Sequence, residues 1–137
     1  MANTTMFGPD CAGVVGTTPA FFIIKELTAA TATPEAIFNA NNVVPRSFRV
    51  VDFTAYNDTG GAQAGATAQL QSNLNGVGLV AVSDALAIAL NDAIARATTI
   101  DPAQRDLTFG NATEDVLTVA KNANGDGGLV WVTAILR

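Results

Sequence analysis

Gly127-Gly128-Leu129-Val130-Trp131-Val132-Thr133-Ala134-Ile135-Leu136-Arg137 is the strongest strand signal in the chain, a row of β-branched and aromatic residues opened by two glycines. Successive side chains of a strand point to opposite faces. Leu129, Trp131 and Ile135 share one face; Val130, Val132, Ala134 and Leu136 share the other. A strand apolar on both faces belongs in the interior of packed β structure, not at its edge. The reading places this segment in the core, Trp131 included, and the preceding residues must cover it.

Working back from it, Asn122-Ala123-Asn124-Gly125-Asp126-Gly127-Gly128 is turn chemistry, and Asp115 to Lys121 reads as a strand with Leu117 and Val119 inward. Gly110-Asn111 closes a short segment, Asp106 to Phe109. Asp101-Pro102-Ala103-Gln104 is a turn, and Ala93 to Ile100 is a strand. Ser83 to Ala97 supports two readings. Ser83 suits a helix N-cap, and the alanines and leucines suit a helix. Leu86, Ile88 and Leu90 recur at period two, which suits a strand. We favour extended structure with a turn at Asn91-Asp92, because every clear neighbour is β.

Further back, Ala66 to Leu74 and Val77 to Val82 flank Asn75-Gly76, the dipeptide of a tight hairpin whose central residues need positive φ. Ser47 to Tyr56 alternates, with Val51, Phe53 and Ala55 on one face and Asp52 and Thr54 on the other. Asn57-Asp58-Thr59-Gly60-Gly61 is a turn cluster. Glu35 to Ala40 is short and ambiguous, ended by Asn41-Asn42. Ala20 to Leu27 is a first strand, followed by the loop Thr28 to Pro34. Residues 1–19, with Gly8-Pro9-Asp10, Gly13, Gly16 and Pro19, read as an irregular arm. Such an arm either frays or orders on a neighbouring subunit. About eight short strands, spaced roughly 8–15 residues apart, make an all-β chain: a β-sandwich or jelly roll over residues 20–137.

Composition narrows the function classes. The chain has 137 residues, most simply one domain, and 49% of them are apolar. Charged residues are 14%, and a small domain so poor in charge suggests surface covered by other copies of itself. Net charge is −5, with seven Lys and Arg and no basic run, so no nucleic-acid stripe is expected. No apolar run reaches ~18 residues, so no membrane span is expected. The opening residues lack the pattern of a signal peptide. Cys11 is the one cysteine, which points to a cytosol with reduced thiols or a particle assembled there. Asn3, Asn57 and Asn111 open N-x-Thr sequons, to which no role is given without a secretion signal.

The residues give little support to catalysis. The chain has no histidine, the commonest general base and transition-metal ligand. Cys11 has no histidine partner and reads as a plain free thiol. Glu114-Asp115 and Asp52/Asp58 sit in no recognisable motif, and adjacent acids on a strand face apart. Asn122-x-Asn124-x-Asp126-Gly127 is similar to the opening of a calcium loop, but its twelfth position is Thr133, so a hairpin turn fits better. Gly76 and Gly78, or Gly125, Gly127 and Gly128, match neither phosphate-loop pattern. The expectation is therefore no catalytic residue, no metal, no cofactor and no enzyme.

With Val44-Pro45-Arg46-Ser47-Phe48-Arg49-Val50-Val51-Asp52, then Ala93-Ile94-Ala95-Arg96-Ala97-Thr98-Thr99-Ile100-Asp101, and the closing Leu129 to Arg137, the chain resembles small virion proteins of tailed bacteriophages. These are β-sandwich decoration, or cement, proteins. The resemblance covers about residues 20–137 and is one of texture: alanine and threonine richness, strand order and an apolar last strand. It implies a homotrimer bound to the major capsid protein on the capsid exterior where capsomers meet, without cofactor or chemistry. The arm is the segment expected to reach a neighbour. The alternative is a carbohydrate- or receptor-binding β-sandwich module of a virion, using Trp131 and Tyr56. An enzyme working through carboxylates alone has the least support.

Overall fold

The computed structural model describes residues 20–27, 34–39, 47–57, 66–88, 93–110, 115–121 and 128–137. They form β1 (Ala20–Glu26), β2 (Glu35–Asn39), β3 (Ser47–Tyr56), β4 (Thr67–Asn73), β5 (Val80–Ala81), β6 (Leu86–Ala87), β7 (Ile94–Arg96), β8 (Asp106–Thr108), β9 (Val116–Lys121) and β10 (Leu129–Leu136). One antiparallel sheet runs β1-β10-β3, with β7 and β8 sharing the far side of β3. The other runs β2-β9-β4, with β5 and β6 sharing the far side of β4. The protein is an all-β sandwich, with no helix among the described residues. The strand count exceeds eight because one position in each sheet is divided between two short strands. The arm 1–19 with Cys11, Asp58, Glu114, the Asn91-Asp92 turn and residues 122–127 lie outside the described residues.

β10 lies between β1 and β3, with Trp131 opposite Ile24 on one side and Thr54 on the other. The interior position expected for this strand is therefore correct. Only one of its faces is fully covered. Val130, Val132 and Ala134 are buried, while Leu129, Trp131, Thr133 and Ile135 are half-buried on the outer face. Trp131 is thus not a core residue. In a two-layer sandwich each sheet has one inner face, and an apolar outer face stays open until something packs on it.

β3 is also corrected. Its pairing steps from Asp52–Thr133 to Val50–Ala134, leaving Val51 as an extra residue. Such a β-bulge bends the strand and shifts the alternation by one. Phe48 and Val50 point inward before it, Phe53 and Ala55 after it, and Val51 turns outward beside Asp52. Without the bulge, one of these inward pairs would face solvent.

The core joins both sheets through an aromatic cluster. The Phe48 ring stacks on Phe109 at 5.6 Å and meets the edges or faces of Phe21 and Phe38 at 5.3 Å each. Leu70, Leu117 and Val119 complete it from the second sheet. The Lys121 ammonium is buried 3.8 Å from the Glu35 carboxylate, so an ion pair links β9 to β2.

The Asn75-Gly76 turn has positive φ at both residues, as expected, and Val77 N–H donates to the Leu74 carbonyl. The return strand is shorter than Val77 to Val82. Gly78 takes φ 98° and gives its N–H to the Asn73 side-chain oxygen, so ladder pairing resumes only at Val80. Val77 and Leu79 are left exposed at the tip.

Leu86 and Ile88 are buried around an exposed Ala87, so the segment from Ser83 is extended, as favoured. Ser83 caps no helix: its hydroxyl accepts from Leu70 N–H and donates to the Asp84 carbonyl. The strand expected to reach Ile100 stops at Arg96. The Asp84 carboxylate takes the Thr98 hydroxyl at 2.8 Å and the N–H groups of Thr98 and Thr99, which bends the chain. Ile100 then makes one bridge to Ser83.

Candidate functional site

Among the described residues, the outer face of the β1-β10-β3-β7 sheet carries most of the exposed large apolar side chains. Pairing registers set them in cross-strand rows: Glu26–Leu129–Tyr56–Ile94, then Ile24–Trp131–Thr54–Arg96, then Phe22–Thr133–Asp52, then Ala20–Ile135–Arg49. Phe22 and Ile24 are each 64% exposed and Ile94 67%. Single exposed apolar residues are ordinary, but a contiguous patch rimmed by polar groups marks an interaction surface. Trp131 and Tyr56, singled out from sequence, stand diagonally on adjacent strands of this face.

Charges on the face are mostly paired. Arg96 Nε donates to Asp52 Oδ1 at 2.7 Å, and Thr54 Oγ1 reaches the other oxygen of that carboxylate. At the opposite end, Arg49 grips Asp106 with two N–H groups, at 2.6 and 3.0 Å, and Arg137 joins the same carboxylate. The hydrogen bonds from Arg49 and Arg137 hold the Asp106 carboxyl far below the usual range, and Asp106 in turn raises Arg49. The cluster is solvent-exposed, so its contribution to stability is small.

Asp84 also titrates low. Desolvation opposes its ionisation, but the hydrogen bonds from Thr98 and Thr99 outweigh it. Both carboxyls have folded-state values below the unfolded one of about 3.9. As pH falls, the unfolded chain takes up protons first, so stability rises with pH across this range. The melting temperature is expected to hold level above about pH 5 and to fall from about pH 4 downward. Asp84→Asn should make the acid slope shallower, and an unchanged slope would show that this carboxylate carries none of it.

The other residues singled out from sequence do not converge. Asp52 serves the Arg96 pair. Asp115 is buried at the other end of the sandwich, where its two oxygens take the N–H groups of Asn75 and Gly110 at 2.7 Å each. It ties the β4–β5 tip to the residues after β8. Gly76 and Gly78 shape that tip. Asn57 is buried and donates its side-chain N–H to the Ile88 carbonyl, so its sequon is not accessible in the fold. No pocket and no metal-ligating cluster occurs among the described residues. Two-sided apolar character reads in sequence as two-sided burial, so the open face has no local signal of its own; exposed Phe22 and Ile24 on β1 are its clearest members. No family model matches the chain, and neither a curated protein nor a solved structure is significantly similar to it.

Proposed function

We propose that the protein is a structural virion component that decorates and stabilises a bacteriophage capsid, bridging subunits of the major capsid protein as a homo-oligomer. The observation that carries this is a pair of separate exposed apolar surfaces on different sheets: the outer face around Trp131, and the β4–β5 tip, where Val77 is 74% exposed. A bridging protein needs at least two contact surfaces, and several weak contacts made together sum to slow release. The sheet orders fit a jelly roll, an architecture shared by viral capsid and lectin domains, which supports the reading by analogy of fold alone.

The test adds purified protein to phage capsids lacking it. Co-sedimentation and raised heat resistance of the shells are expected. Val77→Ser with Leu79→Ser should keep the fold, since both side chains are exposed, and weaken shell binding roughly tenfold. Wild-type protein that never co-sediments would overturn the reading. The second reading, a carbohydrate- or receptor-binding module, is favoured by Trp131 and Tyr56 sharing the open face, since amphipathic rings suit sugar stacking. A shift of Trp131 emission on adding glycans would support it instead.

A further inference from the structure

We infer that β1 pairs edge to edge with β1 of a second copy, antiparallel about a twofold axis perpendicular to the sheet, so that two copies share one continuous sheet. This deepens the homo-oligomer part of the reading above and rests on it for its use on a shell. Leu27 N–H donates to the Gly128 carbonyl, and the main-chain groups of an antiparallel strand alternate sides. Phe21, Ile23 and Lys25 therefore bond β10, while Ala20, Phe22, Ile24 and Glu26 aim N–H and C=O at the open edge, where no described strand meets them. A row of unmet main-chain groups is a template for another strand, and proteins blunt the edges they do not use. The other three edges are blunted among the described residues. β2 has five residues and a register shift between Ala36 and Phe38. β7 and β8 have three residues each, and β5 and β6 two each. β1 runs for seven residues in unbroken register and holds no proline.

The residues of β1 favour its own copy as the occupant. Its two charges, Lys25 and Glu26, sit together at one end. A parallel copy would set like charge beside like charge, whereas an antiparallel one carries them to opposite ends of the pair. Centring the twofold on Ile23 sets Ile24 opposite Phe22 twice and Glu26 opposite Ala20 twice. All the edge-facing residues then fall in hydrogen-bonded pairs, each exchanging both of its main-chain bonds. Main-chain bonds of this kind supply the affinity when a strand adds to a sheet edge. Phe22 and Ile24, now largely exposed, gain apolar neighbours across the new ladder. Opposed residues share a side of the sheet, so the two outer faces join into one apolar surface left open to the shell. With both β1 edges used and the other edges blunted, pairing stops at two copies.

The test joins sedimentation of the full chain over a concentration series with main-chain amide exchange. A dimer is expected. The amides of Phe22, Ile24 and Glu26 should exchange freely in dilute solution and slow roughly tenfold or more where the dimer prevails. Ile24→Lys brings two lysines diagonally together across the twofold and should raise the dimer dissociation constant roughly tenfold or more. Ile94→Lys is the control: it is as exposed on the same face but lies on β7, at the far edge, and should leave that constant within about threefold. Circular dichroism checks the fold; should Ile24→Lys fail it, amide exchange of the unaltered chain decides alone. A monomer, a trimer, a dimer whose edge amides stay fast, or edge amides already slow in the monomer overturns the inference. A monomer that still binds shells leaves the capsid reading standing, whereas a dimer that ignores shells leaves only this inference.

Discussion

Replacing Phe48 by alanine is expected to lower stability by about 3–5 kcal/mol, the usual loss for removing a fully buried aromatic ring. Phe48 is completely buried and its ring touches those of Phe21, Phe38 and Phe109. Phe38 belongs to β2 in the opposite sheet, so the deletion opens a cavity between the layers. Neighbouring rings are too rigid to collapse fully into that space, and the ring contacts are lost as well. A domain stable by about 5–15 kcal/mol would be brought near its threshold. Urea denaturation measures this. A loss under about 1 kcal/mol would mean that the aromatic cluster is not the centre of the core.

Gly128→Ala is expected to cost about 3 kcal/mol or more, although it adds one methyl group. Gly128 precedes β10 and takes φ 108°, a conformation that L side chains rarely adopt. A Cβ there would lie 2.3 Å from the Tyr56 carbonyl oxygen, which is main chain and cannot swing away. The Gly128 carbonyl also accepts from Leu27 N–H at 2.7 Å, so relief on one side strains the other. The entry of the central strand between β1 and β3 is at stake. Gly110→Ala is the control, because a Cβ there meets nothing within 4 Å. Its cost should stay within about 0.5 kcal/mol. Equal melting temperatures for the two variants would contradict the account of Gly128.

Strand existence was legible where periodicity and turn chemistry agreed. Asp115 to Lys121, Ser47 to Tyr56 and the closing segment all became strands. What escaped depends on partners distant in sequence. The orientation of Val51 is set by a bulge against Thr133 and Ala134, which no local alternation records. The end of β7 at Arg96 is set by Asp84, fourteen positions before Thr98, through its carboxylate hydrogen bonds. The truncated return strand after Asn75-Gly76 depends on Gly78 leaving the ladder. The position of Trp131 escapes local reading for a different reason. Apolar residues on both faces of a strand show that both faces avoid water, but not whether the second is covered within the same chain. A sequence rule that treats such a strand in a two-sheet fold as carrying a contact surface would have found the outer face.

Trp131 is the only tryptophan in the chain, so its fluorescence reports on that face alone. The direct measurement is acrylamide quenching of the full chain, first alone and then with shells added. The account predicts a blue shift and a fall in quenching that track shell binding. Trp131 emission that stays equally quenchable on the shell would contradict it, because the open face would then remain in water.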